Sequence, residues 1–213
     1  MQTGAEAIAR LRDPQAEVSS HYVIEEDGRI FQLVDEHRRA AHAGISFWQG
    51  REMLNDSSIG IEIVNPGHQW GYRPFPAPQI QAVRALCLEI LRRHPIPAAR
   101  VLGHSDVAPD RKEDPGELFP WEILARDGIG IWPSASPDLG TGDAAVGGAA
   151  LAAVRRGLRK IGYATDEDGD MDDKLGVVLR AFQRHWRPET VNGLADRGTR
   201  ARIDAVAARM TGA

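Results

Sequence analysis

Cysteine is almost absent from this sequence, and its scarcity limits the sites that the chain can build. Cys87 is the only cysteine among the 213 residues, which excludes an internal disulfide and a paired-cysteine metal knuckle. A bound metal would therefore need histidine and carboxylate ligands, and the sequence offers seven histidines and thirty acidic residues. Cys87 itself falls on the apolar face of a predicted helix, which indicates a core position and argues against a nucleophile.

Long apolar runs and an excess of positive charge are also missing. No run approaches the ~20 residues that a membrane-spanning helix needs, and no basic start leads into an apolar stretch, so we expect a soluble chain without an export signal of its own. Thirty acidic against twenty-six basic residues give a net charge of -4, which disfavours nucleic acid as a partner. With 42% hydrophobic residues, the chain can still bury a core.

Two segments in the first third of the chain carry strand patterns. Residues 21–34 contain two β-rich runs joined at Asp27 and Gly28, a dipeptide that strongly favours a hairpin turn. Residues 58–64 alternate isoleucines with other residues, so that Glu62 projects from the face opposite to them. These runs predict three strands of one sheet.

The segments that follow predict helices beside that sheet. Residues 42–56 show neither a helical nor a strand period and indicate a long loop. Residues 79–93 place apolar side chains at helical spacing, and residues 100–103 indicate a short apolar strand. This alternation predicts an α/β fold, with a mixed β-sheet flanked by helices, that ends near residue 133.

A change of composition divides the chain. Residues 134–142 are rich in Pro, Ser and Gly and predict a linker between a domain at 1–133 and a second domain at 143–213. The second domain carries three segments with helical spacing: Ala144–Ile161, Asp173–His185 and Asp196–Met210. We expect a small three-helix module with a shared core of Leu151, Val154, Leu158, Val178, Phe182 and Ile203.

His104 and Asp114 are the first candidates for chemistry. They lie on one loop, and both are ordinary zinc ligands that such a loop can bring together. In the structural alternative, His104 ends a strand and Asp114 forms a turn. Glu62 is a candidate general base if it shares their cleft, because a carboxylate can accept the proton of an activated water. If Glu62 does not share a cleft with His104 and Asp114, it is a solvated strand residue.

The candidate substrate-binding residues are His42, Asn55, Trp48 and His21. His42 stands among small and aromatic residues, which suits the wall of a substrate pocket and equally suits a structural histidine. Trp48 can stack on a sugar or peptide, although aromatic packing is the commoner role. His21 begins a strand and can act as a hydrogen-bond partner behind the site.

Four ordered motifs carry a family resemblance. They are SSHYVIEEDGRIFQLV, AAHAGIS, LNDSSIGIEIVN and GHSDVAPDRKEDPG. In order and spacing, over residues 17–133, they resemble the zinc-dependent N-acetylmuramoyl-L-alanine amidases of type 2, which are kin to peptidoglycan-recognition proteins. The tail is similar to a peptidoglycan-binding three-helix module through LRKIGY, LRAFQRHWRP and NGLADRGTR.

The resemblance implies hydrolysis of the amide that joins N-acetylmuramic acid to L-alanine of the stem peptide. It implies zinc held by two histidines and an aspartate, of which His104 and Asp114 match the second histidine and the aspartate. Glu62 matches the catalytic glutamate, and Lys112 matches the lysine that stabilises the oxyanion. Peptidoglycan or muropeptides are the implied substrates, and we expect a monomer that works in the periplasm or cell envelope.

One departure from the family pattern concerns the first zinc-binding histidine. In the family it lies on a strand, in a His-Tyr-Thr-like context, upstream of the position held here by Ser19, Ser20 and His21. Because the sequence contains neither that strand nor its histidine, we expect Met1 to be an internal methionine of a longer exported protein, with a membrane anchor only if an upstream segment supplies it. The alternatives are a noncatalytic peptidoglycan-binding protein, or His21 acting as a substitute ligand.

Overall fold

The computed structural model describes residues 3–133 and 147–210, and their contacts divide them into two compact units. The first unit holds the described residues up to Ser46 together with Glu52–Pro95. The second unit holds Phe47–Arg51 and the described residues from Ile96 onward. The predicted linker, residues 134–142, lies outside the described residues, so the division at that linker stays a prediction. Within the described ranges, no helix has the length and apolar character that crossing a membrane requires.

Along the described chain, one helix precedes five short strands, and six helices follow them. Short 3₁₀ turns at Pro14–Ala16, Leu54–Asp56, His68–Trp70 and Ala98–Arg100 connect some of them. The longer elements are, in chain order, α1 Gly4–Arg12, β1 Tyr22–Ile24, β2 Ile30–Gln32, β3 Phe47–Trp48, β4 Arg51–Glu52, β5 Ile61–Ile63, α2 Ala77–Arg93, α3 His104–Val107, α4 Trp121–Ala125, α5 Gly148–Ile161, α6 Asp173–Trp186 and α7 Arg197–Arg209.

The first unit is built on a three-stranded sheet with β1 at its centre. β1 pairs antiparallel with β2, where Ile24 faces Ile30, and parallel with β5, where Val23 faces Glu62. Gly28 adopts a φ of 89° in the turn between β1 and β2, a conformation that glycine adopts without strain. The hairpin predicted at this dipeptide and the mixed sheet flanked by helices are both confirmed.

Helix α2 covers the sheet in the first unit. Gln79 is fully buried, and its side-chain amide donates to the carbonyls of Ile24 and Val64, at 3.1 and 2.8 Å. It thereby supplies a buried donor to carbonyls at the ends of two neighbouring strands. Burial raises the pKa of the half-buried Cys87 thiol to about 11, which keeps it protonated and supports its interpretation as a packing residue. The buried apolar face of the helix consists of Val83, Leu86 and Ile90.

The last three helices belong to the second unit and confirm the helical tail. Asp172 and Asp196 precede α6 and α7, and their carboxylates accept the backbone N–H groups of Leu175 and Thr199, at 2.7 Å in each case. These caps satisfy amides that the first helical turn leaves without partners. Part of the first predicted helix, residues 144–146, lies outside the described residues. The predicted core is confirmed by the burial of Leu151, Val154, Leu158, Val178, Phe182 and Ile203.

Two local predictions are wrong. Residues 100–103 do not form a strand, because the backbone N–H of Val101 donates to the carbonyl of Ala98 and closes a 3₁₀ turn. Residues 42–56 are not entirely loop, since β3 and β4 pair within them. Strands of two residues are too short to show an alternation in sequence, which explains why the pattern gave no sign of them.

Candidate active site

His104 and Asp114 are brought together in the second unit, as predicted. His104 begins α3, and its Nδ1 lies 3.1 Å from Oδ2 of Asp114. The backbone N–H of Ser105 donates to the carbonyl of Asp114 at 2.9 Å, which brings the far end of the loop back beside the helix. A second bond, from Lys112 N–H to the carbonyl of Ala108 at 3.0 Å, tightens the loop. We name residues 104–114 the ligand loop.

The donor atoms of this pair fit two positions of a zinc site. In a tetrahedral site with ligands at about 2.0–2.2 Å from the metal, neighbouring donor atoms lie about 3.3 Å apart, close to the separation of His104 Nδ1 and Asp114 Oδ2. Desolvation raises the pKa of Asp114, but the hydrogen bond with His104 and the charges of His104 and Lys112 outweigh it and hold this pKa below its ordinary value. The carboxylate therefore stays ionised, as a metal ligand must.

The described residues do not complete that metal site. Within residues 3–133 and 147–210, no three His, Cys, Asp or Glu side chains are grouped so that they could hold one ion. If these two side chains hold an ion, a further ligand has to come from elsewhere.

Gly103 allows the ligand loop to close. A Cβ added to Gly103 would lie 2.8 Å from Cδ of Pro115, the residue that follows Asp114. Such a contact is shorter than real Cβ atoms tolerate, so a side chain at this position would displace Pro115. A glycine directly before His104 is therefore needed for the observed approach of Asp114.

Glu62 and His42 lie on the same side of the sheet in the first unit. Glu62 is half-buried on β5, and Gly60 lies two residues before it, so both face the same way. A Cβ added to Gly60 would meet Cγ of His42 at 2.3 Å, which places the imidazole directly against Gly60. Oγ of Ser58 lies 3.4 Å from Nε2 of the same ring. The absence of a side chain at Gly60 thus accommodates the histidine.

His21 supports this arrangement from inside the fold. Its side chain is fully buried, Nδ1 accepts the backbone N–H of Gly60 at 3.0 Å, and Nε2 donates to the carbonyl of Arg38 at 2.9 Å. Both ring nitrogens are therefore engaged by backbone groups. This geometry leaves no nitrogen for a metal, so it argues against a substitute ligand, and it favours the supporting role over direct contact with substrate.

Asn55 holds the loop that carries His42. Its side chain is buried, and Oδ1 accepts the backbone N–H groups of His42 and Ala43, at 3.0 and 2.7 Å. One oxygen thus satisfies two adjacent amides that no strand ladder serves. The structure gives Asn55 a positioning role, and its contact with substrate stays a prediction.

Trp48 packs within the second unit. Its side chain is buried, and its ring meets Tyr163 edge-on with centroids 5.0 Å apart. A Cβ added to Gly162 would lie 2.5 Å from Cε2 of Trp48, so the indole rests on that glycine. Stacking on a sugar needs an exposed ring face, so this geometry favours the packing role of Trp48.

A buried carboxylate within the ligand loop is absent from the sequence-based candidates. Asp106 is 1% exposed and accepts three hydrogen bonds: from Tyr163 Oη at 2.5 Å, His185 Nδ1 at 2.7 Å and Gly103 N–H at 2.8 Å. The partners Tyr163 and His185 lie 57 and 79 residues further along the chain. The only signal in the sequence is the acidic residue two positions after His104, which does not indicate its partners.

Comparisons with known proteins agree with the motifs. The family model described as N-acetylmuramoyl-L-alanine amidase matches residues 1–117. The N-acetylmuramoyl-L-alanine amidase AmiD of Escherichia coli K12 is 41% identical over an alignment of 214 positions, which covers 94% of this chain and 76% of that protein. The 1,6-anhydro-N-acetylmuramyl-L-alanine amidase AmpD of Haemophilus influenzae is 44% identical over 109 residues, which are 51% of this chain and 57% of that protein.

Solved structures match the described fold over nearly the whole chain. Escherichia coli AmiD, in complex with the substrate anhydro-N-acetylmuramic acid-L-Ala-D-gamma-Glu-L-Lys, gives a TM-score of 0.85 at 39% identity, covering 97% of this chain and 85% of that chain. AmpDh3 from Pseudomonas aeruginosa, in complex with anhydromuramic pentapeptide, gives a TM-score of 0.83 at 35% identity. The match covers 97% of this chain and 88% of that chain. By its motifs, its fold and its relatives, the chain belongs to the type 2 N-acetylmuramoyl-L-alanine amidase family.

Proposed function

We propose that this chain carries out the hydrolysis of its family through His104, Asp114, Glu62 and Lys112. The bond cleaved is the amide between N-acetylmuramic acid and L-alanine, in peptidoglycan or its fragments. The observation that supports this assignment is the 3.1 Å approach of His104 Nδ1 to Asp114 Oδ2 on a loop closed by backbone hydrogen bonds. The noncatalytic alternative is not favoured, because the chain matches an amidase over 94% of its length.

Members of this family are generally zinc-dependent, and His104 and Asp114 are the residues that would hold the ion here. When bound, zinc supplies the Lewis acidity that makes water nucleophilic near neutral pH. The part played by this chain is to present an ionised carboxylate and an imidazole together. The ligand loop does so through the Ser105 and Lys112 backbone bonds.

Glu62 acts as general base in this proposal. Its carboxylate takes a proton from the attacking water and passes it to the nitrogen of the departing L-alanine, a role worth about 10²- to 10⁴-fold in rate. The Lys112 ammonium offsets the negative charge that develops on the oxygen of the cleaved amide. Lys112 lies on the ligand loop two residues before Asp114, which supports a position of that positive charge near the ligands.

The tail at 143–213 is proposed to bind peptidoglycan. The three described helices of the tail support this proposal, because a three-helix module is what the sequence motifs predict. Binding would raise the effective concentration of the enzyme at an insoluble substrate. The substrate class supports a place of action in the cell envelope, with the periplasm as the specific proposal. We propose a monomer with zinc as its metal.

Two variants test the division of labour at this site. Glu62→Ala should keep zinc and lose about 10²-fold or more in turnover, because the base is not a ligand. Asp114→Ala should lose the metal itself. The measurements are zinc content by atomic absorption and release of L-alanine-bearing peptides from purified muropeptides. Equal zinc occupancy in the two variants would contradict the assigned roles.

A further inference from the structure

Helix α6 contacts the ligand loop at two adjacent residues. His185 lies 2.7 Å from Oδ2 of Asp106, and Nη2 of Arg184 lies 2.5 Å from Oε1 of Glu113. Arg184 is 9% exposed and His185 is 2% exposed, so both contacts are shielded from solvent on the helix side. A helix of the tail therefore holds both the start and the end of the loop that carries the proposed ligands.

The His185 ring is itself fixed in one orientation. It stacks on Trp121 with centroids 3.9 Å apart and on Trp186 with centroids 3.6 Å apart. The indole N–H of Trp186 donates to the carbonyl of Ile131 at 3.0 Å. Because the ring has little freedom to turn, its Nδ1 presents a directed hydrogen bond to Asp106.

Asp106 depends on the tail for two of its three hydrogen bonds. A buried carboxylate is costly unless donors surround it, and Tyr163 and His185 both come from the tail. The third donor is the backbone N–H of Gly103, which precedes α3. Without the tail donors, Asp106 would have to turn toward water and release that N–H. His104 lies in the same single turn of helix, so its imidazole would move with it.

We propose that Tyr163 and His185 are positioning residues that hold the zinc-binding geometry of His104 and Asp114 by way of Asp106. This inference rests on the proposed assignment of those two side chains as ligands. It gives the tail a second role, because the same helices proposed to bind peptidoglycan order the ligand loop. The role is independent of any contact between the tail and the cell wall.

The test uses the full chain with substitutions at His185. His185→Phe keeps an aromatic ring between the two tryptophans and removes the hydrogen-bond donor. His185→Asn places an amide N–H near the original Nδ1 and serves as the conservative rescue. Gln183→Met is the matched control, because Gln183 is fully buried on the same helix and, among the described residues, its side-chain amide binds only the tail residues Asn192, Gly193, Leu194 and Thr199.

Two measurements separate positioning from general stability. Amide hydrogen exchange of the zinc-free protein should show faster exchange at 105–114 in His185→Phe, with the native pattern largely restored in His185→Asn. Zinc affinity, measured by competition with a chelator, should fall about tenfold or more in His185→Phe, as when residues behind a metal ligand are changed. Gln183→Met should lower the thermal midpoint while leaving both ligand-loop exchange and zinc affinity unchanged.

Unchanged exchange in the ligand loop of His185→Phe would overturn the inference, and so would equal effects in Gln183→Met. A loosened loop with native zinc affinity would overturn it as well. Tyr163→Phe removes the other tail donor to Asp106 with little change of shape. If His185→Phe does not fold, the same two measurements are made on Tyr163→Phe. His104→Ala tests the proposed function separately, because native zinc affinity in that variant shows that the ligand assignment itself has failed.

Discussion

The two groups of candidate residues are held in place by different means. Glu62 lies on a strand whose backbone ladder fixes it, and the neighbouring His42 is placed by close packing on Gly60. His104 and Asp114 lie on a loop whose geometry depends on a few directed hydrogen bonds. A strand site is therefore sensitive to added volume and to lost backbone partners, whereas the loop site is also sensitive to polar groups far along the chain.

Among the residues that support Glu62 and His42, Asn55→Ala should cause the largest loss of stability. This change leaves the N–H groups of His42 and Ala43 without their acceptor, and each buried unsatisfied amide costs about 1–3 kcal/mol. We expect the free energy of unfolding to fall by about 2–4 kcal/mol, measured by urea denaturation. Asn65→Ala is the control, because within the described residues Oδ1 of Asn65 accepts a single backbone N–H, that of Gly67. An equal loss in both variants would remove the special role of Asn55.

A pair of glycine substitutions tests the comparison directly. Gly60→Ala places its Cβ 2.3 Å from Cγ of His42, and Gly103→Ala places its Cβ 2.8 Å from Cδ of Pro115. Overpacking of this kind costs about 1–3 kcal/mol at each position. Only Gly103→Ala should weaken zinc binding in chelator competition, because only that change displaces the chain beside Asp114.

Gly147→Ala is the control for that pair, since its added Cβ meets no atom within 4 Å. It should leave the thermal midpoint and zinc affinity close to native. If Gly60→Ala and Gly103→Ala weaken zinc binding equally, the strand residues and the loop residues are not held in place by different means.

The smallest expected effect concerns pH and a cluster in the first unit. The hydrogen bond from Arg93 lowers the pKa of the buried Glu36 to about 2, against desolvation and with help from Tyr22 and His94. A carboxyl with a lowered pKa stabilises the fold above its unfolded value near 4.5, and that contribution is lost as the pH falls toward 2. Glu36→Gln should lower the free energy of unfolding by about 1–2 kcal/mol at neutral pH. In a plot of the thermal midpoint against pH, the fall at acid pH should be less steep for this variant, which gives the acid limb of the curve a smaller slope. An acid limb as steep as that of the native chain would contradict this account.

Local signals explain which parts of the fold could be predicted from the sequence. The turn at Asp27 and Gly28 and the periodic runs of α2 and α6 depend on residues close in sequence, and all three were predicted. The pairing of Asp106 with partners 57 and 79 residues away depends on tertiary contact, for which periodicity offers no sign. In the site, the approach of His104 to Asp114 could be predicted because both lie on one short loop, whereas their role as ligands was inferred from the family resemblance and stays a prediction.

The segment around Trp48 has a consequence for synthesis of the chain. The side chain of Gln49 donates to the carbonyl of Ile161, 112 residues later, and Trp48 packs on the two residues that follow. At about 5–20 residues per second, these partners emerge from the ribosome on the order of ten seconds after Trp48. The nascent polypeptide therefore carries the Trp48 indole without these packing partners during that interval.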